Sequence, residues 1–230
     1  MLIRWTTSAL ALGLLLTACG SGPGSDPVHA VLLADHGRSA AELEVTSGAM
    51  SITVRTGHQG GPLVRASTPA GSGVRPVLRA GRIIRVGLDQ ADGPRKAALT
   101  IWISPSVRWR VVLAGGADTL RLDLAGARLT SLDLIAGFSA ISMRLPEPSG
   151  PSGLTTVVLA GGASNVRVRL PSGVLSQLVL RGGASFVSVG GRTRTGVAGG
   201  TVISSPGWAK SAASYLIDAT AGISRISVTS

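Results

Sequence analysis

The chain holds a single cysteine, Cys19, among 230 residues. With no partner for it, no intramolecular disulfide can staple the fold. There are three histidines, His29, His36 and His58, with no His-x-x-x-His or Cys-His spacing. The usual transition-metal patterns are therefore absent, and neither a metal nor another cofactor is expected. Aromatic residues are 3% of the chain, too few to stack successive bases, so nucleic acid is not an expected partner. Acidic residues number 11 against 22 lysines and arginines, a formal net charge of +11. The carboxylates are scattered, and nothing selects two of them as an acid and base pair.

What is abundant is glycine, 32 residues, set among Val, Leu, Ile, Ser and Thr. That mixture, with 14% charged residues, suits an all-β domain better than a helical bundle. Six glycines share one local pattern: Gly48, Gly116, Gly137, Gly162, Gly183 and Gly222. Aliphatic residues stand five and three positions before each, as at Val157 and Leu159, and four and six after, as at Val166 and Val168; alanine takes one of these places, at Ala219. The residue between the last two is always polar: Thr53, Arg121, Ser142, Arg167, Ser188 or Ser227. The residue before the glycine is always small. Each copy thus reads as a strand, a tight turn and a second strand, both strands alternating with period two. Glycine suits such a turn because it tolerates positive φ and carries no side chain into a crowded corner.

The glycines are separated by 68, 21, 25, 21 and 39 residues. The 25 carries a loop insertion at 146–153, the 68 is close to three periods and the 39 to two. A period of about 21 residues with equivalent inward positions predicts a β-helix or solenoid-like stack, since one coil cannot bury its apolar face alone. An antiparallel β-sandwich of repeated hairpins is the alternative. The first copy reads Ser47-Gly48-Ala49-Met50 and the last Ala221-Gly222-Ile223-Ser224, and atypical copies are expected to be solenoid caps.

Recurrence at equivalent turns also weakens the chemical readings of these glycines. The Gly-x-Ser triplets at Gly162, Gly183 and Gly222 lack the second glycine of a nucleophile elbow. The Gly-Gly turns lack Gly-Lys-Ser/Thr and precede strands, so they are not phosphate loops. The calcium nonapeptide is missing too, with Asp118 its nearest approach. Asp123 and Asp133 fall at outward positions and read as solvated surface. So do Arg121, Arg144, Arg167, Arg169 and Arg181, unless stacking joins them into a stripe that meets an anionic envelope polymer or lipid headgroups. Trp102, Trp109, Trp208 and Tyr215 read either as core and cap packing or as an exposed aromatic contact.

The start of the chain has its own pattern. Arg4 precedes the apolar run Ala9 to Leu16, which is too short for a permanent span and reads as a signal peptide over 1–18. Leu16-Thr17-Ala18-Cys19 resembles the lipobox of bacterial lipoproteins. The resemblance implies cleavage before Cys19, acylation of its thiol and attachment to the extracytoplasmic face of the cell membrane. The alternative is a plain secretory signal. Residues 19–40 then read as the lipidated cysteine and a flexible Gly/Ser/Pro tether, with Val28–Ala40 left open between tether and first strand, and 41–230 as one domain.

Arg108-Trp109-Arg110-Val111-Val112-Leu113-Ala114-Gly115-Gly116-Ala117, the Gly-Gly-Ala-Ser turns at 161–164 and 182–185, and Ser205-Pro206-Gly207-Trp208 followed by Tyr215-Leu216-Ile217-Asp218 resemble the adhesin-like β-strand-repeat family. This is a domain of unknown function, also called toast-rack, related to the C-terminal domain of Lia-type envelope-stress membrane proteins. The resemblance implies the fold and brings no catalytic residues. It leaves two function classes: a non-catalytic adhesin-like or scaffolding module, and a regulatory module that reports envelope stress through a membrane protein partner. An enzyme is not expected. If Cys19 is the anchor, Cys19→Ser moves the protein from the membrane to the soluble fraction on fractionation; unchanged retention would sink the lipoprotein reading.

Overall fold

The computed structural model describes residues 29–91, 97–208 and 213–230. The expected signal peptide, Cys19 and the chain to residue 28 lie outside the described residues. Each repeat copy is a coil of two strands joined at its glycine. The six coils are β2 (Ala40–Val45) with β3 (Ala49–Thr56), β8 (Arg108–Leu113) with β9 (Ala117–Asp123), β10 (Arg128–Leu134) with β11 (Phe138–Arg144), β12 (Leu154–Leu159) with β13 (Ala163–Arg169), β14 (Leu175–Leu180) with β15 (Ala184–Val189), and β18 (Ser214–Ala219) with β19 (Ile223–Thr229). A seventh pair, β6 (Ile83–Gln90) and β7 (Ala98–Ile103), takes the same places in the two sheets, and part of the chain between them lies outside the described residues.

The two strands of a coil lie in different sheets, and neighbouring coils pair in parallel. The arrangement is therefore the stacked one and not a sandwich of hairpins. All 24 inward positions of the six copies are buried, from Leu43, Val45, Ile52 and Val54 in the first to Ile217, Ala219, Ile226 and Val228 in the last. They meet between the sheets as one core, each full aliphatic burial contributing roughly 1.5–3 kcal/mol. Trp109 is fully buried and donates its indole N–H to the Ser104 carbonyl at 2.7 Å. Tyr215 is also buried and donates to the Pro146 carbonyl at 2.9 Å, tying the inserted loop to the stack. Burial first, and then the charge of Glu147, pushes its phenol pKa up.

Coils do not stack in chain order. The remaining strands are β1 (His29–Leu33), β4 (Val64–Thr68), β5 (Val74–Arg79), β16 (Arg192–Val197) and β17 (Thr201–Ser204). Sheet A runs β1-β4-β7-β3-β9-β11-β13-β19-β15-β16, and sheet B runs β17-β14-β18-β12-β10-β8-β2-β6-β5. The first copy thus sits between the β6/β7 pair and the second copy, and the last sits between the β12/β13 and β14/β15 coils. Neither is a cap, contrary to the expectation from their atypical turns. The caps are antiparallel strands: β4 and β5 with β1 at one end, β16 and β17 at the other. Pro76 on β5, the four-residue length of β17, and Arg192 and Arg194 opposite Val189 and Val187 on β16 guard these edges against further pairing. Within the span left open at Val28–Ala40, His29–Leu33 is a strand paired with β4, so the tether does not extend to residue 40.

The glycine corners meet the two expected reasons unevenly. Of the six, only Gly183 has positive φ, at 77°. Of the others, Gly48 and Gly116 are crowded by the next coil, whereas Gly137, Gly162 and Gly222 have room for a Cβ. A Cβ on Gly116 would stand 2.8 Å from the Gly137 carbonyl oxygen, and one on Gly48 3.0 Å from that of Gly116. Crowding is worse one residue earlier. In stacking order that column reads Ser47, Gly115, Ala136, Gly161, Ala221, Gly182, alternating a side chain with none. A Cβ on Gly115 would overlap the Ser47 carbonyl, on Gly161 the Ala136 carbonyl, and on Gly182 the Ala221 backbone. By contrast, a Cβ on Gly162 would meet only the Gly222 oxygen, at an ordinary 3.6 Å. Gly161→Ala is therefore expected to cost about 1–3 kcal/mol by overpacking, while Gly162→Ala stays neutral or gains up to about 1 kcal/mol. Denaturant titration of the two neighbours checks this, and equal losses would contradict the corner geometry.

Candidate functional site

Alternation along each sheet A strand turns the fifth and seventh residues after the corner outward. Parallel pairing then lines these residues up across the sheet. One row reads Thr53, Arg121, Ser142, Arg167, Ser227, Ser188, and the next reads Arg55, Asp123, Arg144, Arg169, Thr229. Neighbours within a row are one strand spacing apart, about 4.7–4.9 Å at the backbone. Arg144 and Arg169 are direct cross-strand partners, and Arg167 lies on the same face two residues before Arg169. All four predicted arginines of this face, Arg121, Arg144, Arg167 and Arg169, are exposed. Among the described residues none of the four is in an ion pair.

Three of them meet in a depression of about 300 Å³ at the rim of sheet A. Arg144, Arg167 and Arg169 line it with the hydroxyl residues Ser142, Ser227 and Thr229, above the inward Met143 and Val168. No carboxylate lines it. Like charges placed directly opposite in a sheet destabilise it, so the Arg144–Arg169 pairing costs the fold something, with Asp123 on the other side of Arg144 as the nearest carboxylate in the row. Its donors are guanidinium forks and hydroxyls, the groups that bind phosphate, sulfate or carboxylate oxygens.

Arg181, the fifth predicted arginine, stands apart. It follows β14 at the sheet B corner and donates three hydrogen bonds to Asp218, Nε to Oδ1 at 2.9 Å and to Oδ2 at 3.1 Å, and Nη2 to Oδ2 at 2.8 Å. Those bonds, and then the carboxylate charge, push its pKa up. The other ion pairs also belong to sheet B: Arg85 with Glu44 at 2.7 Å, and Arg110 with Asp133 at 3.0 Å and Glu42 at 3.9 Å. The two outer faces differ accordingly. Sheet B carries these pairs, though Arg75, Arg79, Arg108 and Arg128 on its strands are in none of them, and sheet A is the more cationic, with Asp118 and Asp123 the carboxylates on its strands.

Sequence reasoning missed three arginines of the cationic face. Arg55 continues the second row, Arg65 extends it on β4, and Arg225 lies over the Phe186 ring at 5.2 Å. Strand parity would have found Arg55 and Arg225; Arg65 sits on a cap strand outside the repeat. Trp102 is half-buried and faces outward between Arg65 and Arg55, whose guanidinium carbons lie 5.1 and 5.9 Å from its ring centre. Ser164, Ser185 and Ser224 of the Gly-x-Ser turns lie exposed beside their corners. The described residues contain no cluster of three or more His, Cys, Asp or Glu arranged to hold a metal ion.

No protein-family model matches the chain, and no curated protein matches it. Among solved structures, a candidate cell adhesion protein from Clostridium sporogenes aligns over 88% of this chain and 98% of its own, with TM-score 0.61 and 13% identity. The two share a fold. A candidate adhesin from Bacteroides fragilis aligns over 88% of this chain and 96% of its own at 7% identity, but with TM-score 0.28 it has no bearing on the fold.

Adjacent residues test the facing of sheet A. Arg167→Ser is expected to change stability by no more than about 0.5 kcal/mol. Val166→Ser, one residue earlier and fully buried, should cost about 2–4 kcal/mol through lost packing and an unpaired hydroxyl. Thermal and denaturant unfolding of the two variants decides it.

Proposed function

We propose that the protein is a non-catalytic, adhesin-like binding module held on the extracytoplasmic face of the cell membrane through a lipidated Cys19, with the outer face of sheet A as its contact surface for an anionic partner. The observation that carries this reading is the rim depression, where Arg144, Arg167 and Arg169 converge with three hydroxyl residues and no carboxylate. The fold shared with a candidate cell adhesion protein supports the adhesin-like part. A rigid parallel sheet suits such a role because it displays charge at a fixed interval and needs no reordering on contact. The partner class is an anionic envelope polymer, recognised by repeated charge along a row of strands.

Immobilised dextran sulfate serves as the polyanion probe. Binding should weaken steeply with salt, since exposed charges are screened over roughly 8–10 Å at physiological ionic strength. Combining Arg144→Ser, Arg167→Ser and Arg169→Ser should lower affinity at least tenfold, while Arg181→Ser leaves it unchanged. Salt-independent binding, or an equal loss from Arg181→Ser, would overturn the assignment of this face.

A further inference from the structure

Sheet A begins with four strands that differ from the arginine cluster farther along it. The rim row there reads Leu32, Arg65, Trp102, Arg55 across β1, β4, β7 and β3. Leu32 is 64% exposed, and Met50, at the opposite end of β3 from Arg55, is 54% exposed. These two are the large apolar side chains most exposed on the sheet A side of the described residues; Ile135 and Val202 lie on sheet B strands or their corners. Trp102 is held between two guanidinium groups. The next carboxylate along the row is Asp123, beyond Arg55, and Asp35 follows β1. An exposed leucine, an outward tryptophan and two arginines without ion pairs form an amphipathic set. Tryptophan seeks the boundary between headgroups and acyl chains, and arginine seeks anionic headgroups.

The chain itself supplies the reason this set meets a membrane. Cys19 stands ten residues before His29, where β1 begins. Ten residues span at most about 33–36 Å, so an anchor at Cys19 keeps the β1 edge close to the bilayer. From this placement we infer that the β1 end of sheet A is a membrane-contact patch: Leu32 and Trp102 enter the interfacial layer of an anionic bilayer, while Arg55 and Arg65 hold its headgroups. The patch fixes how the stack stands on the membrane. It rests on the proposed anchoring at Cys19, although its own contacts need no acyl chain.

The test reconstitutes the mature protein, extracted from membranes, into vesicles of phosphatidylglycerol and phosphatidylcholine with brominated acyl chains. Flotation reports attachment, and quenching of Trp102 emission, assigned by difference from Trp102→Phe, reports contact. The expected result is quenching that depends on phosphatidylglycerol and falls with salt or in Leu32→Ser. Adding Arg55→Ser and Arg65→Ser should weaken the contact roughly tenfold or more, each surface arginine contributing about 1 kcal/mol. Flotation without quenching overturns the patch and leaves the anchor standing. Flotation that needs phosphatidylglycerol, and is lost in Leu32→Ser, supports the patch while the anchor fails. Absence of flotation in every vesicle overturns the patch. So does a contact insensitive to Leu32→Ser but abolished by Arg121→Ser with Arg167→Ser, which transfers it to the arginine cluster.

Discussion

The whole structure depends on how closely the backbones of successive coils approach at their corners. Backbone N–H to C=O bonds continue through the turn, as from Ala49 to Gly116 and from Phe138 to Gly162, each at 3.0 Å. Such contact leaves no room for a Cβ on Gly115, Gly161 or Gly182. Once the corners are seated, both sheets keep their register and the four aliphatic residues of each coil face inward. A slip of one residue would turn every one of them to solvent. The outward residues carry no such duty, which leaves their charge open to other uses.

That difference in duty also governs what could be read from the chain alone. Inward positions were legible because each copy must satisfy the same burial, so Leu43, Val111, Leu132, Val157, Leu178 and Ile217 announce themselves by recurrence. The order of the coils was not legible, because equivalent coils offer equivalent edges. Its one trace is the alternation of Ser47, Gly115, Ala136, Gly161, Ala221 and Gly182, which makes sense only in spatial order. Four of the predicted arginines fell on one face through strand parity. Arg181 fell elsewhere because its partner, Asp218, belongs to a distant copy that packs beside it. Leu32 was obscured by the Asp35-His36-Gly37 break, which hides a short strand in what resembles a linker.

The slab has two unlike sides. On sheet B, Glu42, Glu44, Asp133 and Asp218 meet Arg85, Arg110 and Arg181, and exposed pairs of this kind contribute about 0–1 kcal/mol each. Their larger effect is to reduce the positive field on that side, to which Arg75, Arg79, Arg108 and Arg128 still contribute. On sheet A, Asp123 stands beside Arg55 and Arg144 in its row without pairing, and the positive field survives. The protein therefore has a direction, and an anionic surface or polymer approaching it is drawn to one side in preference to the other.

The placement of the last coil has a consequence for biogenesis. β18 and β19 fill a slot between the β12/β13 and β14/β15 coils, so neither sheet is continuous until residue 229 has been inserted. Before β18 and β19 arrive, the long stack ending at β12/β13 and the single β14/β15 coil with its cap strands have raw parallel edges for them to join. Folding must end with a wedge driven into an interior position, and pairing so distant in sequence is slow. Until that final strand arrives, the open edges can pair with another chain instead.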